Sequence, residues 1–74
     1  MLNTSMRVLL YDVQANRYLQ SPENWTLDPS LAADLGGTVR AVNFAFKHRL
    51  SGVEIILSFD EADLTMRLPL DIKG

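Results

Sequence analysis

The chain has 74 residues and no cysteine; 47% of it is hydrophobic, 22% is charged, and its formal net charge is −2. These values exclude disulfide staples, thiolate zinc sites and thiol nucleophiles, and they give no global pull toward nucleic acid or anionic lipid. They fit one small globular domain over residues 1–74, short of buried surface because a chain this size hides only ~60% of what it exposes when unfolded.

No stretch approaches the ~20 apolar residues of a membrane span. The opening MLNTSMRVLLYD has neither the apolar core nor the cleavage site of a signal peptide, so a cytoplasmic protein is expected. Residues 6–13 read as a strand that is apolar on both faces, with Met6, Val8 and Leu10 on one and Leu9, Tyr11 and Val13 on the other. Such a strand belongs inside a sheet. Gln14-Ala15-Asn16 suits a tight turn, because Asn tolerates positive φ. Residues 17–20 then return as a short strand. Ser21-Pro22-Glu23-Asn24 breaks the pattern, and Trp25 follows in a loop.

Asp28-Pro29 signals a helix start, since Asp caps and Pro suits the first helical position. That helix is short and ends at Gly36-Gly37. Thr38 is the expected cap of the main helix over residues 39–50, with Lys47, His48 and Arg49 complementing the dipole in its last turn. Gly52 is the expected stop. Residues 53–59 place Val53, Ile55, Leu57 and Phe59 on one face, and residues 64–70 do the same with Leu64, Met66, Leu68 and Leu70.

The expected fold is therefore α+β: ββαββ, a four-stranded antiparallel sheet with one main helix on one face. A right-handed crossover and the need to keep the two-sided first strand off an edge give the order 2-1-3-4.

On a helical wheel of ~100° per residue, Ala41, Ala45, Val42, Phe46 and Leu50 form the expected core face. Phe44 and His48 fall together away from its centre, and Arg40 and Lys47 lie beyond. The sheet face remote from the helix would carry Leu9, Tyr11, Val13 and Ile56 beside Arg7, Glu54, Thr65 and Arg67. Small domains often hide such a mixed patch by association. The candidate partner surface is thus Leu9, Tyr11, Phe44, His48, Ile56 and Arg67, and a homodimer through that face or an edge strand is expected.

Asp60-Glu61-Ala62-Asp63 spells the acidic motif of DEAD-box helicases, but no glycine-rich phosphate loop accompanies it. The alternating LTMRLPL that follows reads as a returning strand, so the four residues are expected to cap a hairpin. They lack the alternating ligands and central glycine of a calcium loop. His48 is the single histidine, and no Gly-x-Ser-x-Gly elbow exists. No catalytic, metal or cofactor residue is assigned, and no small-molecule ligand is identified. Trp25 is expected to close one end of the core, its N–H reaching a carbonyl or water.

The pattern Tyr18-Leu19-Gln20, Trp25, Ala33, Leu35, Thr38, Ala41, Leu50, Val53-Glu54-Ile55 resembles the layout of small stand-alone bacterial domains of uncharacterised function. The resemblance extends over most of the chain. It implies a strand-strand-helix-strand-strand unit and carries over no activity and no functional residue. The function expected is a non-enzymatic protein-interaction or regulatory module. The alternative is weak single-strand nucleic-acid binding by Arg40, Phe44, Lys47 and His48, which the acidic balance of the chain disfavours.

Overall fold

A computed structural model describes residues 6–59 and 64–70. The described elements are β1 (Met6–Asp12), β2 (Arg17–Ser21), β3 (Asn24–Thr26), a 3-10 turn (Pro29–Leu31), α1 (Thr38–Lys47), β4 (Val53–Phe59) and β5 (Leu64–Pro69). The fold is α+β, with one α-helix and an antiparallel sheet of five strands in the order β3-β2-β1-β4-β5. The fifth strand corrects the four-stranded expectation. The added strand is β3, where Trp25 pairs with Leu19 and Thr26 with Tyr18 of β2. Ser21 pairs with Asn24 around Pro22 and Glu23, so the breaker is a two-residue hairpin loop. A three-residue strand is too short to show alternation, which is why it reads as loop.

β1 occupies the centre, as its two apolar faces require. It pairs with β4 along its full length, from Met6 opposite Phe59 to Asp12 opposite Val53. Its hairpin with β2 turns through residues 13–16, where the Asp12 carboxylate accepts the N–H groups of Gln14 and Ala15, and Asn16 takes φ 57°. β1 and β2 are in register only next to that turn, at Tyr11–Tyr18 and Asp12–Arg17.

Beyond those pairs, residues 33–35 take over the partnership. Ala33 N–H donates to the Leu19 carbonyl at 2.8 Å and Leu35 N–H to the Val8 carbonyl at 2.8 Å. The Val8 N–H donates to Asp34 Oδ1 at 3.0 Å, and the same oxygen accepts the Gly36 N–H at 3.0 Å. The chain changes faces at this point. Ala32 packs with Leu9 and Ile56 on one face, whereas Leu35 packs against the cluster of Val8, Leu10 and Ile55 on the other. Residues 33–35 thus fill a split in the sheet. This use of the backbone also limits the turn capped by Asp28, which accepts the Ser30 N–H at 2.9 Å and stops at Leu31. It ends well before the glycines, because Ala33 and Leu35 spend their amides on strands.

The helix departs from the wheel in two respects. It buries Ala41 and Ala45 completely, both at 0% exposure, with Val42 and Phe44 half-buried on either side. Phe46, expected inside, is 54% exposed, and Val39 is 72% exposed. The core face is rotated toward Phe44. Apolar residues surround most of this helix, so the wheel leaves its midpoint open. The two alanines decide it, because side chains ending at Cβ let the helix axis come closest to β1.

The helix also ends earlier than expected. His48 is the C-cap, and Arg49 adopts φ 52°. Arg49 N–H donates to Phe46 O at 3.1 Å and Leu50 N–H to Ala45 O at 2.9 Å, a Schellman closure with Arg49 in the left-handed position. That conformation costs a non-glycine residue roughly 1–2 kcal/mol, partly offset in glycine by its freer unfolded chain. Arg49→Gly should therefore raise stability by about 0.5–1 kcal/mol, read as a higher thermal midpoint. A lower midpoint would mean that the Arg49 side chain contributes more than its backbone costs.

Candidate functional site

Strand parity puts eight side chains on the sheet face opposite the helix, toward its β4–β5 side and the β1–β2 turn. Register places Tyr18 beside Tyr11, Tyr11 beside Glu54, Ile56 between Leu9 and Arg67, and Thr65 beside Ser58. Tyr11 and Tyr18 pack with ring centroids 5.0 Å apart at 52°. The Tyr11 hydroxyl donates to Asn16 Oδ1, which ties this ring to the hairpin turn. Arg67 reaches back across β4: its guanidinium lies 5.2 Å from the Tyr11 ring centroid. Both Nε and Nη2 donate to Glu54 Oε1, at 2.9 and 2.7 Å. The Arg67 side chain is 56% exposed, so the ion pair contributes at most about 1 kcal/mol and acts mainly to aim the side chain.

Tyr11, Tyr18, Ile56, Thr65 and Arg67 line an open cleft of about 190 Å³. The Leu9 end of this face is covered. Arg7 donates to the carbonyls of Pro29 at 3.2 Å and Ala32 at 2.6 Å, clasping the 3-10 turn over Leu9. This face, whose covering the sequence leaves open, is therefore half roofed by its own chain.

The six residues expected to form one surface divide between the two faces. Leu9 and Ile56 are buried in the floor of the second face, and Tyr11 and Arg67 stand above them. Phe44 and His48 belong to the helix side, where their rings stack 4.2 Å apart and Phe44 rests on the core. The ring that nucleic-acid stacking would need is thus half-buried beneath His48. Tyr18 is the residue the expectation missed; once Tyr11 is placed, hairpin parity across residues 13–16 puts it on the same face.

Trp25 packs half-buried against the main core cluster from β3, at one edge of the sheet. Among the described residues no three His, Cys, Asp or Glu side chains converge as a metal site. Asp60, Glu61 and Asp63 lie outside the described residues. The strands on either side of them are antiparallel neighbours with Phe59 opposite Leu64, unlike the parallel sheet of a helicase core. No helix among the described residues is long and apolar enough to cross a membrane. Comparisons with protein families, with curated proteins and with solved structures find no match.

Proposed function

We propose that the chain is a non-enzymatic interaction or regulatory module of the cytoplasm, and that the cleft over Tyr11, Tyr18 and Arg67 is its contact surface. The observation that carries this reading is the aimed arginine beside paired tyrosines at the open end of a half-roofed face. Tyr and Arg are the residue types that anchor protein interfaces, because they combine large contact area with directed hydrogen bonds. The cleft is smaller than the roughly 300–1,000 Å³ of small-molecule pockets, which favours a protein side chain or loop as its occupant. The likeness to small stand-alone bacterial domains adds no activity to this reading.

The test is quantitative rebinding of a partner captured from cells. Tyr18→Ala should weaken that binding at least about tenfold, the usual scale for losing an aromatic anchor, while circular dichroism stays unchanged. Equal affinity for both proteins would place the contact elsewhere. The nucleic-acid alternative predicts binding of a single-stranded oligonucleotide that weakens steeply with salt, and fluorescence anisotropy reads it directly.

A further inference from the structure

We infer that the free edge of β5 docks on β5 of a second copy of this chain, joining two sheets into one. This deepens the interaction-module reading, on which it rests, by naming one partner and its register.

Val8 fixes the hydrogen-bond phase of the sheet. Its N–H and C=O are both used on the β2 side, by Asp34 and Leu35. Val8 and its opposite residue Leu57 are therefore a pair without mutual hydrogen bonds. In an antiparallel ladder such pairs alternate with bonded ones, so the Leu57 backbone groups point away from β1 and toward Met66 of β5. Met66 and Leu68 consequently spend their backbone groups inward, on β4. Thr65 and Arg67 present theirs outward, and the missing N–H of Pro69 falls on the free side, where a strand tolerates proline.

Proteins commonly guard an edge with a charged side chain. Here the candidate guard is Arg67, and it is held away from the edge, paired with Glu54 and drawn over the Tyr11 ring two strands inward. The opposite edge, β3, has only three residues and lies beside an irregularity between Leu19 and Ser21. Among the described residues, β5 is the edge left open.

Its outward groups are self-complementary about a two-fold axis through Met66. Thr65 then pairs with Arg67 of the second copy, and Arg67 with its Thr65, so every outward donor and acceptor of these two residues is used. Arg67 never faces itself. Shifting the axis to Arg67 would set like charges opposite each other and match Thr65 with the donorless Pro69. On the helix side, the axis brings together two Met66 side chains, each 47% exposed in the single chain.

The chain has no cysteine, so Met66→Cys introduces a single thiol. Across the two-fold axis these residues form a pair without backbone hydrogen bonds, with Cα atoms ~4.5 Å apart, within disulfide reach. Mild oxidation of Met66→Cys should give a covalent dimer, and a cysteine at the exposed Gln20 of β2 should not. Met66→Lys, which sets like charges face to face, should raise the dimer dissociation constant roughly tenfold or more in sedimentation equilibrium. An 8.3 kDa wild-type monomer at high concentration would overturn the proposal. So would a dimer that neither crosslinks in the Met66→Cys variant nor weakens in the Met66→Lys variant, while leaving the cleft as a contact for another protein. Should Met66→Lys fail to fold, the cysteine crosslink decides alone.

Discussion

Asp34→Ala should destabilise the chain by about 1–3 kcal/mol, the cost of leaving a buried amide without a partner. Asp34 is itself exposed, and the effect arises at the other end of its hydrogen bond. Val8, at 1% exposure, lies at the centre of the sheet and donates its N–H to the Asp34 carboxylate. Alanine cannot accept that bond, nor the one from Gly36, and no β2 residue pairs with Val8 to replace it. Urea titration should show a lower midpoint for the variant. An unchanged midpoint would mean that water reaches Val8 through the split.

The same contact sets an acid limit. The amides of Val8 and Gly36, in that order, hold the Asp34 carboxyl below its ordinary value of 3.8, with burial opposing them. A carboxylate with a lowered folded pKa stabilises the fold fully above its unfolded pKa, and that contribution is lost as pH falls through the folded value. The Asp34 contribution should therefore hold above about pH 4 and fade below it. Asp34→Asn keeps one acceptor oxygen but no titration, and it should flatten this part of the acid limb.

The second large effect distinguishes the two helix phenylalanines. Phe44→Ala should cost about 2 kcal/mol, since the ring is half-buried against the core and full burial of a phenylalanine is worth more. Phe46→Ala, at a site 54% exposed, should change stability by no more than about 0.5 kcal/mol. In a domain of this length the first corresponds to roughly 8–16 °C in melting temperature. The reverse order would turn the helix back to the orientation expected from its wheel.

That reversal shows how much of the molecule could be read from its residues. β1 announces its central place, because Leu9 and Leu10 are apolar on opposite faces and both prove buried. β4 and β5 alternate cleanly enough to reveal their pairing, and Asn16 advertises its left-handed turn. β3 stays hidden, since Asn24–Thr26 spans too few residues for any period. The role of Asp34 is also invisible locally: a surface acid before two glycines looks like a loop residue until Val8 is found without a strand partner. The candidate site was half legible. Tyr11 and Arg67 share a face by parity alone, but the pairing of Tyr18 depends on hairpin register, and the roof over Leu9 depends on Arg7 meeting carbonyls more than twenty residues away in sequence.

The split in the sheet also constrains the order in which the chain can assemble. β1 draws its neighbours from three separate parts of the sequence: Arg17 and Tyr18, then Asp34 and Leu35, then the whole of β4. The β1–β2 hairpin is the only local pairing among these, and it is limited to the residues next to the turn. Little of the central strand is therefore secured before distant segments arrive, and loop closure must precede most of the stabilising contacts. Folding should consequently be slower than the small size suggests. The amides of Val8, Ala33 and Leu35 should gain protection from hydrogen exchange together, in the step that threads residues 33–35 between β1 and β2.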